Sequence, residues 1–335
     1  MHVLAVSKPA FADPSGHRAR VYLARRFPSL IEARICERFE VQRNASDRIL
    51  DEIALAREAQ GCTYIFITAT ERFSRPVFEQ LRGALKAVAT LSVGFDHIDL
   101  EAARDYGVAV FHTPDVLTDA CAEVAMMLML NAARRGHEAD GLVRSGHWPG
   151  WAPTQLLGQT LKGKRLAILG MGRIGQAIAE RARSFGMTIH YRNRRPLSAE
   201  AEKGAIYHDR DETLLAAGDV LSINTPGDAN LAGFLNREKI ALLPRGAIVI
   251  NISRGNVIDD DALIEALTCG RIFAAGLDVF NNEPAVDPRY FALNNVFLTP
   301  HIGSATEETR NAMGLLLLNG IVALEKGMPA DNRLC

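Results

Sequence analysis

A chain of 335 residues has room for two domains. With 48% hydrophobic and 23% charged residues it can fill two cores, which excludes a disordered chain. Its 38 Lys and Arg against 39 Asp and Glu leave a formal net charge of −1, which removes the usual electrostatic reason to expect nucleic acid or an anionic membrane as a partner.

Residues 1–19, with Pro9, Pro14 and Gly16, read as a loosely organised extension, and the N-terminus lacks the charged-then-apolar pattern of a secretion signal. Short β-branched runs follow at 21–24, 63–67, 87–92 and 108–111. Next comes a long helix over 119–144, whose polar second half (Arg134, Arg135, His137, Glu138) suits a crossing between domains or subunits. Its longest apolar stretch, 124–130, is far too short to span a bilayer. Residues 145–153, rich in Gly, Pro and Trp, read as an irregular arm. Further strands are expected at 165–169, 188–191, 220–223, 247–251, 274–277 and 296–298. Several are almost wholly apolar, as parallel strands covered on both faces should be. Asp259, Asp260 and Asp261 open a helix that Gly270 closes, and Ser304 to Glu307 reads as a capping box for a last helix over 307–326. Strand–helix alternation of this kind predicts an α/β protein with doubly wound parallel sheets. The five cysteines (Cys36, Cys62, Cys121, Cys269, Cys335) show no paired spacing, which fits a reducing cytoplasm and suggests neither a zinc site nor a disulfide framework.

The strand at 165–169 runs directly into Gly170-Met171-Gly172-Arg173-Ile174-Gly175, and a helix and a second strand follow. This is G-x-G-x-x-G in the strand–turn–helix setting that dinucleotide binding requires. Gly170 allows the tight turn, Gly172 the approach of a pyrophosphate and Gly175 close helix–strand packing. The bland alternative is a turn that only packs. At the end of the second strand, where an NAD site usually carries an acid, stand Arg192, Asn193, Arg194 and Arg195. Guanidinium groups suit a 2′-phosphate, so NADP is expected over NAD, with a solvated basic loop beside an NAD site as the alternative.

Arg254, Asp278, Glu283 and His301 each follow the carboxyl end of an expected parallel strand, where open α/β sheets bind ligands. Arg254, Glu283 and His301 suit chemistry on a 2-keto acid: Arg254 to hold the carboxylate, His301 to give a proton to the carbonyl oxygen, Glu283 to orient the His and raise its pKa. Taken singly, each also reads as a cap or a surface group.

These residues match a known pattern. Ser92-Val93-Gly94-Phe95-Asp96-His97-Ile98-Asp99, the glycine turn, Asn251 to Gly255, Gly276 to Pro284 and Pro300 to Ser304 resemble the D-isomer-specific 2-hydroxyacid dehydrogenases, over roughly residues 20 to 328. The resemblance implies a Rossmann cofactor domain, 113–300, inserted into a flavodoxin-like substrate domain made of 1–112 and 301–335. It implies His301 as acid/base, Glu283 as its partner and Arg254 as the substrate arginine. Backbone amides of Val93 and Gly94 would form a second carboxylate grip. Asp278 would face the nicotinamide amide, and Arg173 and Ile174 would lie over the pyrophosphate. Thr118, Thr225, Ile252, His301 and Gly303, with the glycines and Asn193, Arg194 and Arg195, complete the expected cofactor contacts. Family members are usually homodimers built on the cofactor domain.

Within the family, the arginine cluster and the stretch from Trp151 to Gly158 look most like the glyoxylate/hydroxypyruvate reductases. The alternatives are an NAD(H)-dependent dehydrogenase of other substrate range and, from another class, a cofactor-sensing corepressor-like binding protein. A formate dehydrogenase would carry Gln where Glu283 stands. No role is implied for His97. His137, His147, His190 and His208 read as surface residues, Cys121 as small core packing, and Trp148 as a residue of an arm reaching a partner subunit. No metal is expected.

Overall fold

The computed structural model describes residues 18–227 and 229–335; most of the expected N-terminal extension lies outside the described residues. The chain divides into two compact units, one running to Leu117 and resuming over Thr306–Cys335, the other Thr118–Ala305. These boundaries fall a few residues beyond those expected, so the turn that carries His301 lies wholly in the second unit.

The first unit contains β1 (Arg20–Leu23), α1 (Ser29–Arg38), β2 (Glu40–Arg43), α2 (Glu52–Glu58), β3 (Tyr64–Ile67), α3 (Arg75–Gln80), β4 (Ala87–Thr90), α4 (Leu100–Asp105), β5 (Ala109–Phe111) and α12 (Glu307–Glu325). Its five strands pair in parallel in the order β2-β1-β3-β4-β5, the flavodoxin-like winding. Strand alternation sorts the side chains into two cores. Tyr64 and Phe66 join Phe111 and Ile321 on one face, and Ile65 and Ile67 join Phe73 and Phe78 on the other. Burying one such side chain stabilises by roughly 1.5–3 kcal/mol, which is why an all-apolar run settles between two helical layers. α12 is capped by Thr306, whose hydroxyl accepts the Thr309 N–H at 3.1 Å, rather than by Ser304 as the sequence suggested.

The second unit contains α5 (Thr118–Arg134), α6 (Gly136–Arg144), β6 (Arg165–Leu169), α7 (Arg173–Ser184), β7 (Thr188–Arg192), α8 (Ala199–Glu202), β8 (Ile206–Tyr207), α9 (Asp211–Ala217), β9 (Val220–Ile223), α10 (Arg237–Leu242), β10 (Ala247–Asn251), α11 (Asp260–Thr268), β11 (Ile272–Leu277) and β12 (Val296–Leu298). All seven strands are parallel, in the order β12-β11-β10-β9-β6-β7-β8. This is Rossmann winding: the chain starts at β6 and the order reverses between β6 and β9, opening a crevice at their carboxyl ends.

Two strands escaped the sequence reading, β2 and β8. Both lie at sheet edges, where one flank is unpaired and the apolar signal is weak. The long helix expected over 119–144 is two helices. Arg135 between them adopts a left-handed conformation (φ 55°), anchored by a bidentate pair with Glu138 (2.8 and 2.7 Å), while Asn131 accepts the His137 N–H at 3.0 Å. In the arm, Trp148 and Trp151 are exposed. Among the described residues, no helix is long and apolar enough to cross a membrane, and no three His, Cys, Asp or Glu side chains gather as a metal-binding group.

Candidate active site

Glycines shape the crevice of the second unit. Gly170 has φ 92°, and a Cβ there would lie 2.9 Å from the Asn224 carbonyl carbon, so β6 can turn beside β9 only without a side chain. A Cβ on Gly175 would lie 2.5 Å from the Gly170 oxygen, which seats α7 against the turn. A Cβ on Gly172 would meet nothing within 4 Å. Gly172 caps α7 without any side-chain hydrogen bond, so the first amides of a 12-residue helix face open space with their positive dipole end. That cradle fits a dinucleotide pyrophosphate. Arg173 and Ile174 open the helix. The nearest heavy atoms to Gly170 include the Thr225 amide, and the Thr225 carbonyl accepts the Ser253 hydroxyl, next to Ile252 at the end of β10.

At the end of β7 the Asn193 side chain is tied to the glycine turn. Its Oδ1 accepts the Met171 N–H at 2.7 Å and its Nδ2 donates to the Met171 carbonyl at 3.3 Å. Asn193 therefore shapes the turn itself. Arg192 pairs with Asp211 at 3.5 Å. Arg194 and Arg195 are exposed and have no side-chain partner among the described residues.

Three strand-end loops meet around His301. A Cβ on Gly255 would land on the Phe280 carbonyl, so the loop after β10, with Arg254, packs backbone to backbone against the loop after β11. Phe280 N–H donates to Glu283 Oε1 at 2.8 Å, and Glu283 Oε2 stands 2.8 Å from His301 Nδ1. His301 sits at φ 53°, its N–H donating to the carbonyls of Asp278 (2.9 Å) and Thr299 (3.0 Å). The Asp278 carboxylate, almost wholly buried, accepts from Thr299 Oγ1 (2.7 Å), Ile302 N–H (2.8 Å) and Gly303 N–H (2.8 Å). It thus holds the left-handed turn in place.

The electrostatics follow from these contacts. The hydrogen bond to Glu283 raises the His301 pKa above the ordinary imidazole value, outweighing burial and the neighbouring Arg254. Burial pushes the Glu283 carboxyl up, but the His301 bond and charge, the Phe280 N–H and Arg254 together hold it below its usual range. Burial raises Asp278 against its hydrogen bonds. An ionised Glu283 accepts the Nδ1 proton of His301, which leaves Nε2 as the ring atom that can give or take a proton.

Cys121 is largely buried, as small packing requires. It stands 3.3 Å from where a Gly303 Cβ would be, and burial, then Asp278, push its thiol up to about 12. His190 and His208, expected at the surface, are half-buried partners with Nδ1 and Nε2 2.9 Å apart; burial lowers both pKa values. Arg254, Asp278, Glu283, His301 and Gly303 come together in the second unit, as do the glycine turn, Asn193 and Thr225. Thr118 begins α5 in the same unit. Val93 and Gly94 lie in the first unit, in a half-buried loop after β4. Around that loop, Thr90, Ser92, His97 and His112 hydrogen-bond in ways the sequence reading missed, because single polar residues at strand ends carry no spacing signal.

A Rossmann-wound sheet with an open phosphate cradle, and a partnered histidine beside an arginine on neighbouring strand ends, defines a dinucleotide-dependent oxidoreductase. Residues 126–303 match the family model described as D-isomer specific 2-hydroxyacid dehydrogenase, NAD binding domain. A glyoxylate reductase from Thermococcus litoralis is 41% identical over 316 residues, 92% of this chain and 95% of that protein. A glycerate dehydrogenase from Hyphomicrobium methylovorum is 38% identical over 288 residues, covering 85% and 89%. Among solved structures, a D-isomer specific 2-hydroxyacid dehydrogenase from Polaromonas is 57% identical with a TM-score of 0.91, covering 95% of this chain and all of that one. An NADPH-dependent glyoxylate/hydroxypyruvate reductase from Sinorhizobium meliloti, in complex with NADP and malonate, is 32% identical with a TM-score of 0.85, covering 95% and 97%. The chain belongs to the D-isomer-specific 2-hydroxyacid dehydrogenases, and within them it is like the glyoxylate reductases.

Proposed function

We propose that this protein is a cytoplasmic, NADPH-preferring reductase that converts a small 2-keto acid, glyoxylate or hydroxypyruvate, into the D-2-hydroxy acid. The observation that carries this reading is the 2.8 Å His301–Glu283 pair with Arg254 beside it. When bound, the cofactor supplies the hydride that adds to the carbonyl carbon. Arg254 holds the substrate carboxylate and polarises the carbonyl. The amides of Val93 and Gly94 form a second grip. His301 gives its Nε2 proton to the carbonyl oxygen, completing the alcohol, and the ionised Glu283 stabilises the imidazolium until it does so. In the reverse direction the neutral ring takes that proton back.

The glycine turn, Arg173 and Ile174 suit the pyrophosphate, and Thr118, Thr225, Ile252, Asp278 and Gly303 suit the remainder of the cofactor. Arg194 and Arg195, without a side-chain partner among the described residues, and the lack of an acid directly after β7 support a 2′-phosphate and hence NADP. A shallow apolar depression where α5 meets α7, lined by Met126, Met127, Leu130 and Phe185, supports homodimerisation through the second unit. The five free cysteines fit a reducing cytoplasm.

Steady-state assays of a panel of 2-keto acids with NADPH and NADH test the reading. Turnover of glyoxylate and hydroxypyruvate with NADPH is expected. His301→Asn should lower kcat by roughly 10²–10⁴-fold with thermal stability intact. Near-normal turnover in that variant rejects the role of His301. A tenfold preference for NADH rejects the cofactor assignment, and no turnover with any pair favours a cofactor-sensing binding protein.

A further inference from the structure

We infer that His112, together with a His97–Thr90–Ser92 hydrogen-bond relay, positions the carboxylate grip by holding its carbonyls away from the substrate. This rests on the proposed grip at Val93 and Gly94.

Three consecutive carbonyls of the loop are each engaged from within the first unit. The Ser92 carbonyl accepts the Thr113 N–H at 2.9 Å. The Val93 carbonyl lies 3.0 Å from His112 Nδ1, and the Gly94 carbonyl accepts the Ser92 hydroxyl at 2.7 Å. A carbonyl has no proton to give, so His112 is the donor and carries its proton on Nδ1. In a trans peptide the C=O of one residue and the N–H of the next point in opposite directions. Holding the carbonyls of Ser92, Val93 and Gly94 therefore turns the amides of Val93, Gly94 and Phe95 the other way. Among the described residues no acceptor receives those three N–H groups. Successive amides presented in this way form a concavity for an anion.

The proton order of the relay is also fixed. Ser92 has one hydroxyl proton, committed to Gly94, so its oxygen accepts from Thr90 Oγ1 at 2.8 Å. Thr90 has then used its own proton, so it accepts from His97 Nε2 at 2.9 Å. Each link admits one direction only.

His112 is itself held. Its N–H donates to the Asn332 carbonyl at 3.1 Å, and the buried Asn332 side chain donates back to the His112 carbonyl at 3.1 Å. The Phe95 ring meets the imidazole edge-on, with centroids 5.8 Å apart. His112 touches no reacting atom in this scheme; it acts through the Val93–Gly94 peptide and is a positioning residue.

Two readouts test this: KM and kcat for glyoxylate with NADPH, and calorimetric titration of the enzyme–NADP complex with oxalate, an unreactive carboxylate. His112→Ala should raise the glyoxylate KM and the oxalate Kd about tenfold, the loss of one orienting hydrogen bond, while kcat and the NADPH KM stay within about twofold. His112→Asn, which can place a side-chain N–H near the same carbonyl, should recover most of the loss. If the alanine variant does not fold, His112→Leu keeps the bulk and lacks the donor, and it stands against His112→Asn in the same way. Unchanged KM and Kd in the donor-less variant overturn the proposal. A joint fall in kcat, cofactor affinity and melting temperature with no recovery in His112→Asn also overturns it, as a purely structural role. Oxalate binding lost in the variant of an enzyme that turns over no 2-keto acid sinks the reductase reading and keeps the positioning role. An active wild type with an indifferent variant does the reverse.

Discussion

The glycine turn of the second unit and the Val93–Gly94 loop of the first are both proposed to receive an anion on backbone amides, but they are built differently. In the turn, the helix does the orienting: α7 begins at Gly172 without a side-chain cap, and glycines clear the space before its positive end. In the loop no helix is present; the Thr113 N–H holds one peptide from behind, and the side chains of His112 and Ser92 hold the next two. A backbone-built site depends on what is missing from it, namely Cβ atoms. A side-chain-built site depends on donors standing where nothing in the local sequence announces them.

Gly175→Ala should break the first kind most severely. Its methyl would press on the Gly170 oxygen, and overpacking of this sort costs about 1–3 kcal/mol before any effect on the cofactor. Thermal melting should fall and NADP affinity should be lost. Gly172→Ala, by contrast, meets nothing and should melt with the wild type while still weakening NADP binding; equal melting losses in both variants would remove the distinction.

Glu283→Gln probes a side chain that keeps its place and loses its charge. On the proposed mechanism reduction uses protonated His301, so activity should be retained at low pH and lost as pH rises through the His301 pKa. Glu283 is the main cause of that raised pKa. In the variant the loss should therefore move to lower pH, and an unshifted pH–kcat profile would contradict the pairing.

Replacing Arg194 and Arg195 together by Ala should cost about tenfold in NADPH KM and little with NADH, the scale of one charge-assisted hydrogen bond. The smallest effect is expected of Ser92→Ala. It frees the Gly94 carbonyl and removes the acceptor of the Thr90 hydroxyl, and should raise the 2-keto acid KM a few-fold.

The same contrast explains what could be read before the structure. Buried parallel strands such as β3 and β10 are continuous apolar runs, and the glycine turn follows its strand at a fixed spacing, so fold and cradle were both visible. Arg254, Glu283 and His301 stood out because each follows a strand end, and the resemblance then supplied their expected roles. β2 and β8 did not stand out, since edge strands share their pattern with exposed loops. The break at Arg135 was hidden because Arg135 takes its left-handed conformation through its pair with Glu138, and no Pro or other helix-breaking sequence marks the residue itself. His112 was invisible for a different reason. Its value lies in a carbonyl nineteen positions back along the chain and in Asn332 near the chain end, and a tertiary contact leaves no local pattern.

That tie to Asn332 also bears on the order in which the protein is made. The second unit is one continuous stretch, Thr118–Ala305, and every residue of it has been synthesised before α12 begins. The Val93 loop, although made early, lacks the brace behind His112 until Asn332 leaves the ribosome. At roughly 5–20 residues per second, that wait is on the order of ten seconds or more. On a growing chain the cofactor unit can therefore be finished while the unit that started first is still waiting for its last piece.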